Sequence, residues 1–143
     1  MRRTTITIII SIAILVVPRL FIYWNNSGSF VADQALIREG ISIYRSNYCG
    51  SCHTLSIAST RGMFAPDHDD IMSDANEYLN SDIYVGLAET PEEYIRESIL
   101  DPDVFYTPGY EASNHHMPSF GHLSEQEIDT MVYMLSHQEF YDN

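Results

Sequence analysis

Two cysteines stand three positions apart, and the second is followed at once by a histidine: Cys49-Gly50-Ser51-Cys52-His53. No other segment restricts the chain so tightly. A C-x-x-C-H run is the spacing that attaches a haem covalently, because one tight turn brings both thiols to the same edge of the ring, where they add to its two vinyl groups. The next residue then falls under the iron, so His53 is expected as the proximal axial ligand through an imidazole nitrogen. Gly50 and Ser51 are small enough to let the ring lie close to the backbone. A thioredoxin-type pair would want a strand and helix of βαβ pattern, which the sequence lacks, and a structural zinc site would need two further ligands at matching spacing. Two cysteines are also too few for a disulfide scaffold.

The opposite face of the iron needs a second ligand, and His115, His116, Met117 and His122 all lie in one loop. Met117 is favoured. It precedes Pro118, comes just before the last predicted helix, and follows His53 at a distance that lets the chain wrap round. A thioether there favours ferrous iron and raises the reduction potential, whereas His115 or His116 would give a low-potential bis-histidine haem. Met63 follows His53 too closely to reach the far side. Met72, Met131 and Met134 fall in predicted helices and are assigned to the core.

Around this motif the pattern is helical. Residues 33–48 repeat Ala35, Leu36, Ile43 and Tyr44 at helical spacing, with Gly40 on the path of that face, marking close approach by another helix. Residues 54–66 read as loop and 67–79 as a helix. Thr90-Pro91-Glu92-Glu93 combines an N-cap, a proline at the first helical position and a capping box, and Asp101-Pro102 ends that helix. Residues 102–123 hold Pro102, Pro108, Gly109, Pro118 and Gly121, too many breakers for regular structure, and so long a loop is usually functional. Ser124-Glu125-Gln126-Glu127 is a second capping box, opening a helix with Ile128, Met131, Val132 and Leu135 on one stripe. The expected fold class is all-α.

Residues 4–24 form an apolar run interrupted only by Arg19, and at about 1.5 Å per residue it reaches roughly 31 Å, one hydrocarbon core. The expectation is a single transmembrane helix over 1–24, a linker over 25–31, and a haem domain over 32–143. Arg2 and Arg3 place the N-terminus in the cytoplasm and the haem domain on the periplasmic side of the cytoplasmic membrane, with Tyr23 and Trp24 at the interface. A cleaved secretory signal is the competing reading, although no clean A-x-A site follows the run. Covalent haem attachment on the outer side of the membrane agrees with this placement.

All 20 acidic residues lie beyond residue 30 and face only four arginines there, which excludes a nucleic-acid partner. The chain contains no lysine. Its acidity reads as solubility, as adaptation to high salt, or as docking to a basic partner through attraction that salt weakens. With 45% hydrophobic residues the chain can pack a core rather than remain disordered.

From Ala32 to Gln138 the sequence resembles class I cytochromes c, and more narrowly the membrane-anchored mono-haem subunits of bioenergetic complexes. The resemblance rests on Gly40 and Tyr44, Cys49 to His53, Phe64-Ala65-Pro66-Asp67, Met117-Pro118-Ser119-Phe120, and the closing helix with Leu123, Glu127, Ile128, Val132 and Leu135. It implies a class I cytochrome c fold with one haem c bound through Cys49 and Cys52 and ligated by His53 and Met117. It also implies that Gly40 and Tyr44 pack against the last helix near Val132 and Tyr133, and that the Pro66 carbonyl accepts a hydrogen bond from His53. The long segment 101–116 and the missing lysines depart from the docking face of soluble mitochondrial cytochrome c. The cytochrome c subunits of nitric oxide reductase and of alternative complex III look most similar. The expected function is one-electron transfer within a membrane electron-transport complex, with redox proteins as partners, no small-molecule substrate and no catalytic residue. A free periplasmic carrier, a haem sensor or enzyme with an open distal site, and an assembly subunit off the electron path are the alternatives.

Overall fold

Helix α1 (Gln34–Ser46) starts where the Asp33 carboxylate accepts hydrogen bonds from the amides of Ala35 and Leu36. The computed structural model describes residues 32–141, which belong to one compact unit beginning at Ala32. Along α1 the buried positions are Ile37, Gly40, Ile41 and Tyr44, the i, i+3, i+4, i+7 stripe of a helix lying on a core. This face is turned from the expected one, since Ala35 is exposed and Leu36 and Ile43 are half-buried. The cause is the partner helix: α1 packs against α4 (Glu125–Ser136), and Gly40 is the point of closest approach. A Cβ on Gly40 would lie 2.4 Å from Cβ of Met134 and 2.9 Å from the Thr130 carbonyl oxygen. The register therefore runs through Thr130 and Met134, and Tyr133 instead receives the Asp33 amide at 2.7 Å.

Helix α2 (Ile71–Leu79) is shorter than the 67–79 expected. Its predicted first turn is occupied elsewhere, because the His68 amide bonds to the Thr54 carbonyl and the Asp69 carboxylate takes both the amide and the hydroxyl of Ser56. Helix α3 (Pro91–Leu100) begins at Thr90 with the full capping box to Glu93, and α4 begins at Ser124 with the same device to Glu127. Arg96 joins the two helices by pairing with Glu125 at 3.1 Å and with Asp129. Residues 102–123 form turns without helix or strand, returning to the end of α3 where Phe120 and Ser119 bond to the carbonyls of Ile99 and Leu100.

Two expectations are corrected. The domain is not all-α, so the fold class stated from the sequence does not hold: strands β1 (Thr54–Leu55) and β2 (Thr60–Arg61) pair antiparallel within the expected loop, with Thr54 opposite Arg61 and Leu55 opposite Thr60. A 3₁₀ turn over Ser56–Ala58, with Ser59 in the left-handed region at φ 53°, supplies the reversal. Secondly, no helix among the described residues is long and apolar enough to cross a membrane. The longest of them, α1, has 13 residues and spans about 20 Å against a hydrocarbon core of roughly 30 Å. Among the described residues this contradicts the single-pass placement in the cytoplasmic membrane, with its periplasmic haem domain. The segment proposed as its anchor, 1–24, and the linker over 25–31 lie outside the described residues.

The α1–α4 contact is testable at its tightest point. Gly40→Ala gains helix propensity of about 1 kcal/mol, but overpacking of this kind typically costs about 1–3 kcal/mol. The expected result is a lower urea midpoint at unchanged slope and a melting temperature reduced by roughly 4–8 °C per kcal/mol. An unchanged or higher midpoint would mean that the helices separate freely at Gly40.

Candidate functional site

The chain leaves α1 through Tyr48, whose φ of 59° turns it sharply into a 3₁₀ turn over Cys49–Ser51. The amides of Cys52 and His53 both bond to the Cys49 carbonyl, at 3.1 and 3.0 Å, so the five-residue motif is one compact turn. Gly50 also has a role in the fold. A Cβ there would sit 2.1 Å from Cγ2 of Thr60, so the glycine makes room for β2. Gly62 lies against backbone instead of a side chain, since its Cβ would lie 2.3 Å from the carbonyl carbon of Cys52. The Cys52 carbonyl accepts the amides of Phe64 and Ala65, both at 3.1 Å, and the His53 carbonyl accepts Gly62 at 3.2 Å and the Thr60 hydroxyl at 3.1 Å.

His53 is 6% exposed, and its Nδ1 lies 2.7 Å from the Pro66 carbonyl oxygen. A carbonyl only accepts, so Nδ1 carries the proton and the lone pair of the neutral ring resides on Nε2. Burial lowers the pKa of His53, against the opposing effects of the Pro66 bond and the Asp67 charge. No buried side-chain nitrogen or oxygen among the described residues lacks a partner, so Nε2, which makes no hydrogen bond, is open to the adjoining cavity.

That cavity has a volume of about 260 Å³ and is lined by Cys49, Cys52, His53 and Met117, with Phe120 and Leu135 among its apolar walls. A smaller one, about 110 Å³, adjoins it and shares His53, His68, His115, His116 and Met117; Pro66 lies on its wall. Cys49 and Cys52 are free thiols, half-buried. Burial, reinforced by Cys52, pushes the Cys49 thiol up to about 11.

The loop candidates separate by position. Met117 is half-buried and packs against the core, whereas His115 and His116 are exposed, with His115 against the ring of Phe64 and His116 against that of Tyr106. His122 lines neither cavity and lies beside Phe120. Met63 is 86% exposed and likewise lines neither. Met131 belongs to the core, as assigned, and also forms part of the cavity wall. Among the described residues no three of His, Cys, Asp or Glu converge as a metal cage.

One residue escaped the sequence reading. His68 stacks on His53 with ring centroids 3.9 Å apart and planes 21° from parallel, and its Nδ1 lies 3.2 Å from the Tyr44 hydroxyl. It is half-buried and lines both cavities. Burial, then the neighbouring His53, hold its pKa well below the usual imidazole value. Its signal was positional: once Pro66 stands against His53, a side chain two residues further on is within reach of the same ring.

With both thiols free, Cys49 should alkylate on the order of tenfold or more slowly than an ordinary cysteine at pH 8, its rate climbing with pH toward about 11, because the thiolate is the nucleophile. Mass spectrometry of timed iodoacetamide reactions measures this, and equal reaction at pH 8 would contradict the buried thiol. No protein-family model matches the chain, and neither a curated protein nor a solved structure matches it significantly.

Proposed function

We propose that the chain carries one haem c, attached through Cys49 and Cys52, and serves one-electron transfer between protein partners. The observation that supports this reading is the meeting of four groups at one apolar cavity: two free thiols on a single turn, an imidazole with Nε2 unengaged, and the Met117 thioether. The donor set fits the group. Each thiol can add across a vinyl group, its sulfur bonding one carbon and its hydrogen passing to the other, with no oxidant required. A neutral histidine whose second nitrogen is bound to a backbone carbonyl is the form in which imidazole ligates a metal. The thioether is a soft ligand suited to ferrous iron. When bound, the haem supplies a one-electron Fe(II)/Fe(III) couple.

The chain's own residues do the rest. Pro66 orients His53, and the apolar walls from Phe120, Met131 and Leu135 exclude water and lower the local dielectric. No side chain is assigned as acid, base or nucleophile, and no small-molecule substrate is invoked. The acidic surface favours a redox partner with a basic face, reached as a subunit of an electron-transport complex or as a carrier. The resemblance to class I cytochromes c agrees with this chemistry. A bis-histidine pairing is the second reading, because His115 and His116 line the same cavity; their exposure and ring contacts favour Met117.

The full chain, produced alongside haem-attachment enzymes, should retain haem after denaturation and acid–acetone extraction, and Cys49→Ala with Cys52→Ala should lose it. Met117→Leu should then lower the potential by on the order of a tenth of a volt, within the roughly 0.8 V that axial ligation spans. Extractable haem would sink the attachment, and an unchanged potential would sink the Met117 assignment.

A further inference from the structure

The hydrogen bond from His53 to Pro66 fixes the direction of one N–H vector but leaves the ring free to tilt about it. A second contact, on the face of the ring, is needed to set its plane, and His68 makes that contact at 3.9 Å between centroids. His68 is itself held on three sides. Its amide bonds to the Thr54 carbonyl at 2.9 Å, its carbonyl accepts Gln138 Nε2 at 2.7 Å, and its ring Nδ1 meets the Tyr44 hydroxyl at 3.2 Å. Tyr44 is 1% exposed on α1, so the ring is braced from the core. A ring lying parallel to His53 and in contact with it cannot reach the opposite side of anything that His53 binds. Its role is therefore distinct from that of a second ligand.

We propose that His68 is a positioning residue that sets the plane of the His53 imidazole, with Tyr44 as its brace. The inference rests on the haem reading above. An axial imidazole overlaps the iron d orbitals through its π system, so the azimuth of its plane decides how unpaired spin is distributed over the ring of a ferric haem. The four haem-methyl proton resonances report that distribution directly.

The experiment records those resonances for the ferric full chain and three variants, after the acid–acetone test for covalent haem. His68→Leu removes the flat face and is expected to change the order and spread of the four methyl shifts. His68→Phe keeps a flat ring against His53 and is expected to retain the native order. Tyr44→Phe removes only the brace and is expected to move the shifts in the direction of His68→Leu by a smaller amount, which preserves the test if His68→Leu fails to fold. Loss of packing alone would lower the melting temperature of both His68 variants without separating their methyl shifts. Identical shifts in His68→Leu or, if it does not fold, in Tyr44→Phe, or equal displacement in His68→Leu and His68→Phe, would overturn the positioning role while leaving the haem reading intact. Absence of covalent haem from the unaltered chain would overturn both.

Discussion

Gly62 lies against the peptide that joins Cys52 to His53, and the site depends on that contact. Because no Cβ intervenes, β2 and the residues after it can fold back over the cysteine turn, and the two carbonyls of that turn are satisfied by Thr60, Gly62, Phe64 and Ala65. With those bonds made, Pro66 arrives at Nδ1 of His53 and His68 at its face. Any side chain at position 62 would have to push the strand off the turn. The carbonyl that orients His53 would move with it.

Around the cavity four titratable groups are held neutral by the same cause. Burial lowers the basicity of His53 and His68 and raises the pKa of Tyr44 and the Cys49 thiol. The interior thus contains polar groups without fixed charge, while the acidic residues stay largely at the surface. Two of the few cations are committed to structure: Arg45 donates to the Ala58 carbonyl at 2.9 Å, and Arg96 ties α3 to α4. Surface pairs of the latter kind contribute little individually, at about 0–1 kcal/mol. The apolar contact along Gly40, Met134 and their neighbours carries more of the stability.

Locally encoded elements were legible. Thr90 and Ser124 each bring their own capping partner three residues on, so both helix starts could be placed from four letters. The C-x-x-C-H turn is local in the same sense. What could not be read depends on distant chain. Thr54 and Thr60 become paired strands because Gly50 and Gly62 admit them against the cysteine turn, and residues 67–70 are pulled out of the predicted helix by Ser56 and Thr54. Which face of α1 is buried was decided by α4, more than 80 positions later. His68 carried no motif, and its meaning comes from Pro66, Tyr44 and Gln138 together.

The bond between Gln138 and the His68 carbonyl spans 70 residues. By contrast, the bonds donated by the turn's own amides, Ser51 to Tyr48 and both Cys52 and His53 to Cys49, lie within six residues. The fastening behind His68 comes from the far side of α4. The two thiols therefore sit on a locally closed turn, whereas the ring that lies against His53 is secured by the chain beyond the last long helix.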